Sequence, residues 1–169
     1  QRQSAVHTAD LSAFQLAQLA AAVGLTRDKY LFVDQYQYRI GVPTFIMPKV
    51  YSALDVLLSP SYGEGFGIPI LEAQACGTPV IVSDFSAMSE LCWNGWKVPV
   101  EPWWDSRHGS YLGYASPQRI HTALEAAYRD RRNTRRVERG VERAQEYDVS
   151  YVADTFWKPT MEFMESRLP

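Results

Sequence analysis

The chain has 169 residues, 46% hydrophobic and 21% charged, a length and balance that suit one ordinary globular domain with a real core. Seventeen basic against nineteen acidic residues leave a formal net charge of −2, which argues against a nucleic-acid partner, since such surfaces are normally basic. No stretch approaches the ~20 apolar residues needed to span a bilayer, and the N-terminus lacks the apolar region of a signal peptide. In chain order, a helix is expected from about Asp10 to Val23, where Asp10 can cap the start and Gly24 can close the end. Tyr30 to Val33 reads as a short buried strand, and the polar, aromatic stretch from Gln35 to Thr44 as a loop. A short helix over Pro48 to Leu54 and a strand over Asp55 to Ser59 follow.

The next stretch, Tyr62-Gly-Glu-Gly-Phe-Gly67, places three glycines at alternate positions, a pattern suited to neither helix nor strand. A helix is predicted from Pro69 to about Ala75, with Pro in its first turn and Gly77 just past its end. Val80 to Val82 is a β-branched strand, Ser86 to Leu91 a small helix and Trp96 to Val98 a short strand. Strands alternating with helices at this spacing predict a parallel α/β sheet. Glu101 to Tyr114, with Trp103, Trp104 and Tyr111, reads as an aromatic loop. Helices are then expected from Ser116-Pro117 to Asp130, from Thr134 to Tyr147 and from Val152 to Arg167. The organisation predicted is an α/β domain over residues 1–150, undivided by any linker, and a C-terminal helix over 151–169.

Isolated candidates for chemistry are few. Cys76 and Cys92 have neither metal-ligand spacing nor the density of a disulfide scaffold. Cys76 reads as a small core residue, and reduced thiols fit a cytoplasmic location. His7, His108 and His121 are scattered, with surface or structural roles expected. Arg129, Arg131, Arg132, Arg135 and Arg136 are interleaved with acids and read as a solvated helix face.

The strand, glycine loop and helix from Asp55 to Ala75 carry more information. Loops at the carboxyl ends of parallel strands form the ligand crevice of such sheets. The helix that follows offers free N–H groups and a partial positive charge to an anion such as a diphosphate. A triphosphate loop would need Gly-x4-Gly-Lys-Ser/Thr, and no such lysine is present. A dinucleotide fingerprint would need a third glycine at 68 or 70, but both are isoleucine. Glu64 and Glu72 also invite comparison with the acid and nucleophile of a glycosidase. One lies in a glycine loop and the other in a helix beside an anion site, where gripping a polyol fits better.

Tyr51 to Glu90 resembles the donor-binding half of the retaining glycosyltransferases of family 4, which have the GT-B fold. The likeness is carried by Asp55-Val-x-x-x-Pro-Ser61, Glu64-Gly-Phe-Gly67, Pro69-Ile-Leu-Glu-Ala73, Gly77-Thr-Pro-Val-Ile81 and Ser83-Asp84, with seven residues between Glu64 and Glu72. Weaker agreement extends from about Leu11 to the C-terminus, including the late Arg143-Ala…Tyr147-Asp and the final helix. The resemblance implies half of a GT-B fold, a Rossmann-like parallel sheet flanked by helices with a helical tail. It implies a nucleoside-diphosphate sugar as donor substrate and a hexosyl-type transfer that retains anomeric configuration, needing neither metal nor cofactor. It implies Glu64 as the catalytic-site carboxylate facing the donor sugar, with the amides of Gly65, Phe66 and Gly67 on sugar hydroxyls. By the same likeness Glu72 accepts from the ribose hydroxyls, and the amides of Ile70 and Leu71 lie near the diphosphate.

Complete enzymes of that family have two such halves, and their diphosphate-clamping Arg and Lys lie upstream of the first helix seen here. Arg2 and Lys49 do not match that motif. The expectation is a fragment with little activity alone, whose acceptor-binding partner is a missing N-terminal domain. Any membrane contact, at the inner face, would be made through that half. The alternative is a non-catalytic module that binds nucleotide sugars or another protein.

Overall fold

The computed structural model describes residues 16–32 and 40–168. The chain divides into two compact units, Gln1–Met47 and Pro48–Pro169. In the first, helix α1 spans Leu16–Ala22, and the residues predicted to begin it, 10–15, lie outside the described set. Gly24, at φ +81°, ends it, with the Leu25 N–H donating to Ala20 O at 2.8 Å. A 3-10 turn covers Arg27–Lys29, and a second covers Thr44–Ile46.

The strand expected at Tyr30 to Val33 is a correction. Among the described residues Tyr30 to Phe32 pair with no strand, and Leu31 is 95% exposed, while Val33 lies outside them. The Tyr30 and Phe32 rings lie 4.8 Å apart and the Arg27 guanidinium sits 5.3 Å from the Tyr30 centroid. These aromatics are held by one another rather than by a ladder. Of the predicted loop from Gln35 to Thr44, residues 35–39 lie outside the described set.

The second unit holds the sheet. Helix α2 is Met47–Ser52, strand β1 Leu57–Ser59, helix α3 Ile68–Ala75, strand β2 Val80–Ser83, helix α4 Ser86–Leu91 and strand β3 Trp96–Val98. The three strands lie in the order β1-β2-β3 and both pairings are parallel, with Leu57 opposite Val80 and Ile81 opposite Trp96. All four residues of the central strand are buried, as expected when helices cover both faces. Ile81 and Val98 join Ala115, Ala123 and Ala127 in one apolar cluster. Strand alternation turns Val80 and Val82 to the opposite face. The fold class expected from the sequence is the one observed.

The segment read as an aromatic loop is instead a β-hairpin. Strand β4, Glu101–Asp105, pairs antiparallel with β5, Ser110–Tyr114, in a separate two-stranded sheet. Both faces of the hairpin carry aromatic side chains, so the period-two polarity that announces a strand is missing from the sequence. The turn is built by Asp105, whose Oδ1 accepts from the Arg107 N–H at 3.1 Å and whose Oδ2 pairs with His108, and by Gly109 at φ +60°.

Helix α5 spans Pro117–Arg129, with Ser116 capping it through the Arg119 N–H, and α6 spans Thr134–Ala144, capped by Asn133 through the Arg136 N–H. The arginine run crosses the turn between these helices, so it is not one solvated face. Arg136 pairs with Asp130 at 2.6 Å, donates to Gly95 O at 3.2 Å and lies 4.3 Å from the Trp96 ring centroid. That guanidinium, with Asn133 beside it, holds the Asp130 carboxyl below its usual range. A 3-10 turn at Gln145–Tyr147 leads to α7, Val149–Val152, a wide π turn at Ala153–Trp157 and α8, Lys158–Glu165. The final helical stretch thus begins three residues earlier than expected. No helix among the described residues is long and apolar enough to cross a membrane.

Candidate functional site

The glycine loop joins the carboxyl end of β1 to the start of α3, and two residues from the carboxyl end of β2 tie it down. The Ser83 hydroxyl donates to Ser61 O at 2.8 Å. The Ser86 hydroxyl accepts from the Glu64 N–H at 3.0 Å. Ser86 takes a φ of +51° as the first residue of α4, the sole positive φ outside glycine among the described residues. Such a conformation costs energy and persists only where its surroundings impose it. Here it sets the hydroxyl under the loop. Beside it, the Asp84 carboxylate accepts from the Ser89 hydroxyl.

The three loop glycines have different physical reasons. Gly67 caps α3 at φ +99°, and a Cβ there would lie 3.1 Å from Ile70 Cδ1, so the backbone itself requires glycine. At Gly63 a Cβ would make an ordinary 3.6 Å contact with Leu112. At Gly65 a Cβ would meet nothing within 4 Å, and φ is not in the left-handed region. The fold therefore supplies no reason for glycine at 65.

The helix start is arranged differently from expectation. The N–H groups of Ile70 and Leu71 already donate to Gly67 O, at 2.9 and 3.3 Å, and Pro69 has none. Among the described residues, the amides of Gly65, Phe66, Gly67 and Ile68 have no acceptor within the chain. Ile68 is not among the residues that the resemblance implies; the signal for it in the sequence is Pro69, which has no N–H and leaves the free donor on the residue before.

Glu72 is the fifth residue of α3, just beyond its first turn. Its side chain is exposed, yet one oxygen is held: the Tyr51 hydroxyl donates to Oε2 at 2.8 Å. Tyr51 comes from α2 and is 6% exposed. Its own carbonyl accepts from the Thr78 hydroxyl at 2.7 Å. Burial first, then the hydrogen bond and charge of Glu72, push the Tyr51 phenol up to about 12. Oε1 has no partner among the described residues. Glu64, by contrast, is half-buried, and its side chain makes no hydrogen bond among them. The two carboxylates thus stand at the two ends of one loop-and-helix segment, each with an oxygen free to accept.

Two further residues support this segment. Phe66 is backed by Tyr147, ring centroids 5.8 Å apart, and Tyr147 in turn lies 5.4 Å from Trp93. Gln74 is fully buried, and its amide makes four hydrogen bonds. It donates to Ile70 O at 3.0 Å and Leu91 O at 2.7 Å, and accepts from the N–H groups of Trp93 at 2.9 Å and Asn94 at 3.1 Å. One side chain fixes α3 to the end of α4. Cys76 and Cys92 are half-buried, and burial pushes both thiols up, away from reactivity.

A family described as "Glycosyl transferases group 1" matches residues 15–130. The chain belongs to that family. It is similar to a D-inositol 3-phosphate glycosyltransferase of Rhodococcus erythropolis, 38% identical over 80 residues, which is 47% of this chain and 16% of the relative. The lipopolysaccharide core biosynthesis mannosyltransferase LpsB of Rhizobium meliloti is 38% identical over 81 residues, 48% of this chain and 20% of the relative. The O-antigen chain mannosyltransferase B of Escherichia coli is 44% identical over 50 residues, 30% of this chain and 13% of the relative. The matched stretches thus span no more than 20% of the length of these relatives.

Proposed function

We propose that this chain contributes the donor-binding part of a retaining, hexosyl-type glycosyltransferase whose substrate is a nucleoside-diphosphate sugar. The observation that carries the reading is Gly65: nothing in the fold needs a glycine there, so the space above its backbone belongs to a ligand. Glu72 accepts from the ribose hydroxyls through Oε1, while Tyr51 holds Oε2 and so fixes the carboxylate rotamer. A carboxylate has lone pairs enough to accept a vicinal diol. Glu64 accepts from hydroxyls of the donor sugar, and the amides of Gly65, Phe66 and Gly67 contact that sugar. Ile68 donates to the diphosphate at the positive end of α3, with Ile70 and Leu71 adding their backbone dipoles.

In the transfer, the bond between the anomeric carbon and the phosphate oxygen breaks, and the acceptor hydroxyl forms the new glycosidic bond on the same face. The charge that develops on the departing diphosphate is stabilised by the helix start and the loop amides. A diphosphate oxygen takes the acceptor proton, so no metal and no cofactor enter. A second α/β half supplies most of the acceptor site, in keeping with relatives far longer than the matched segment. Cytoplasmic work, at the inner face of a membrane where the acceptor is a lipid, fits this chemistry.

Titration calorimetry against UDP-, GDP- and ADP-hexoses tests the reading. Binding of one donor should weaken roughly 10- to 100-fold in Glu72→Ala, the effect of about 1.5–3 kcal/mol for hydrogen bonds to a charged group. Tight binding that ignores this substitution would remove Glu72 from the site.

A further inference from the structure

The hairpin carries a feature that the donor site leaves unused. Opposite residues of an antiparallel pair share a face. The register sets Glu101 opposite Tyr114, Trp103 opposite Leu112 and Asp105 opposite Ser110, so Trp103 and Tyr114 lie on one face, with Glu101 at its near end. Tyr62, the residue before the glycine loop, joins them. Its ring centroid is 6.3 Å from Trp103, with the planes at 88°, and 6.3 Å from Tyr114, at 58°. These three side chains stay 51, 42 and 39% exposed, although large aromatic rings normally gain most by full burial.

The hairpin face is joined to the loop. The Gly113 N–H donates to Tyr62 O at 2.8 Å. Gly113 has no room for a side chain, because a Cβ would lie 2.9 Å from both Phe85 and Val100. The cluster is therefore held against the loop's first residues, with Glu64 two residues beyond Tyr62.

We propose that Tyr62, Trp103 and Tyr114 form a carbohydrate-stacking subsite beside the glycine loop, which takes a pyranose ring of the acceptor glycan. The inference rests on the donor-site reading for its function, although the geometry of the cluster stands by itself. The C–H face of a pyranose carries partial positive charge and stacks on the electron-rich face of an aromatic ring, while its hydroxyls seek planar polar side chains at the rim. Rings at steep angles to one another offer such a sugar both a face and an edge. The rim is polar: Glu101 pairs with Arg119 at 3.3 Å, and Asp105 pairs with His108. Glu101 is compensated by Arg119 and the Asp105 carboxylate is engaged in its own turn, so these rim carboxylates offer nothing that would select a phosphate or a nucleic acid. Continuity with a loop that grips sugar hydroxyls places the occupant in the same chemical class.

The test uses the 169-residue chain with mannotriose, maltotriose and cellotriose as probes, each without nucleotide, read by saturation-transfer NMR and by tryptophan fluorescence. At least one probe should bind, with saturation transferred to its ring C–H protons. Trp103→Ala should weaken that binding about tenfold or more, as loss of an aromatic contact does, and Trp103→Phe should restore most of it. Trp104→Ala is the matched control, because Trp104 pairs with Tyr111 on the other hairpin face, and it should bind as the parent does. Binding of none of the three saccharides would overturn the proposal. So would equal loss in Trp104→Ala, or a self-association abolished by Trp103→Ala, which would assign the face to a second copy of the chain. The two readings fail separately: a chain that binds donor but no saccharide ends this proposal alone, and one that binds saccharide but no donor ends the donor-site reading alone.

Discussion

Replacing Tyr51 by Phe isolates a single hydrogen bond at the edge of the candidate site. The ring is almost fully buried, 6% exposed, so phenylalanine keeps its packing and only the 2.8 Å bond to Glu72 Oε2 is lost. A hydrogen bond to a charged group contributes roughly 1.5–3 kcal/mol, and exposure of the carboxylate lowers this to about 1–2 kcal/mol. The pH profile supplies a second signature. The phenol is raised from 10.0 to about 12, so the folded chain holds that proton more tightly than the unfolded chain does. The stability it contributes is fully present below pH ~10 and is lost as pH rises toward ~12. Urea unfolding of parent and variant, repeated from pH 7 to 11.5, measures both effects. At neutral pH the variant should be less stable by about 1–2 kcal/mol, and the two curves should converge above pH ~10. Curves that run parallel throughout, or a variant as stable as the parent at pH 7, would refute the claim that Tyr51 holds Glu72. With the carboxylate released, donor affinity should also fall, but by less than in Glu72→Ala.

Two loop glycines separate folding from binding. Gly65→Ala should melt within a degree or two of the parent, since its Cβ meets nothing, while calorimetry should find donor binding lost. Gly67→Ala should cost about 1–2 kcal/mol of stability, because an L-residue at φ +99° is strained, which thermal melts would register; a Gly67→Ala chain as stable as the parent would contradict the observed cap. Gln74→Ala should destabilise by roughly 3–5 kcal/mol in denaturant titration, as it strips partners from buried N–H and C=O groups on three segments. A loss under 1 kcal/mol would mean that water replaces the amide.

Local chemistry made much of the sheet legible. Helix α4 and strand β3 begin and end where the sequence placed them, because Ser83-Asp84, Cys92 to Gly95 and Pro99 interrupt the chain on either side. Strand β2 was short by one residue and α3 by one. The alternation of strands and helices was enough for the parallel sheet, since short crossovers leave few other arrangements. Tyr30 to Val33 had the same apolar look as β2, but a strand exists only where a neighbour supplies its hydrogen bonds, and Leu31 faces water instead. The hairpin failed in the opposite way. Its aromatic side chains lie on both faces, and with polarity hidden, only the register of β4 on β5 reveals it as a sheet.

By itself the sequence determined the loop: its glycine spacing, its two glutamates and the helix that follows. These are short-range matters of backbone conformation and of which side chains lie within a turn or two. The tertiary structure decided what holds that loop and which groups remain free in it. Tyr51 reaches Glu72 from another helix, Tyr147 backs Phe66 from a distant turn, and Ser86 takes the Glu64 amide from the end of the neighbouring strand. It also moved the free amide at the helix start to Ile68, because Ile70 and Leu71 turn back on Gly67. Contacts between residues far apart in the chain depend on how elements pack, and no local pattern encodes that packing.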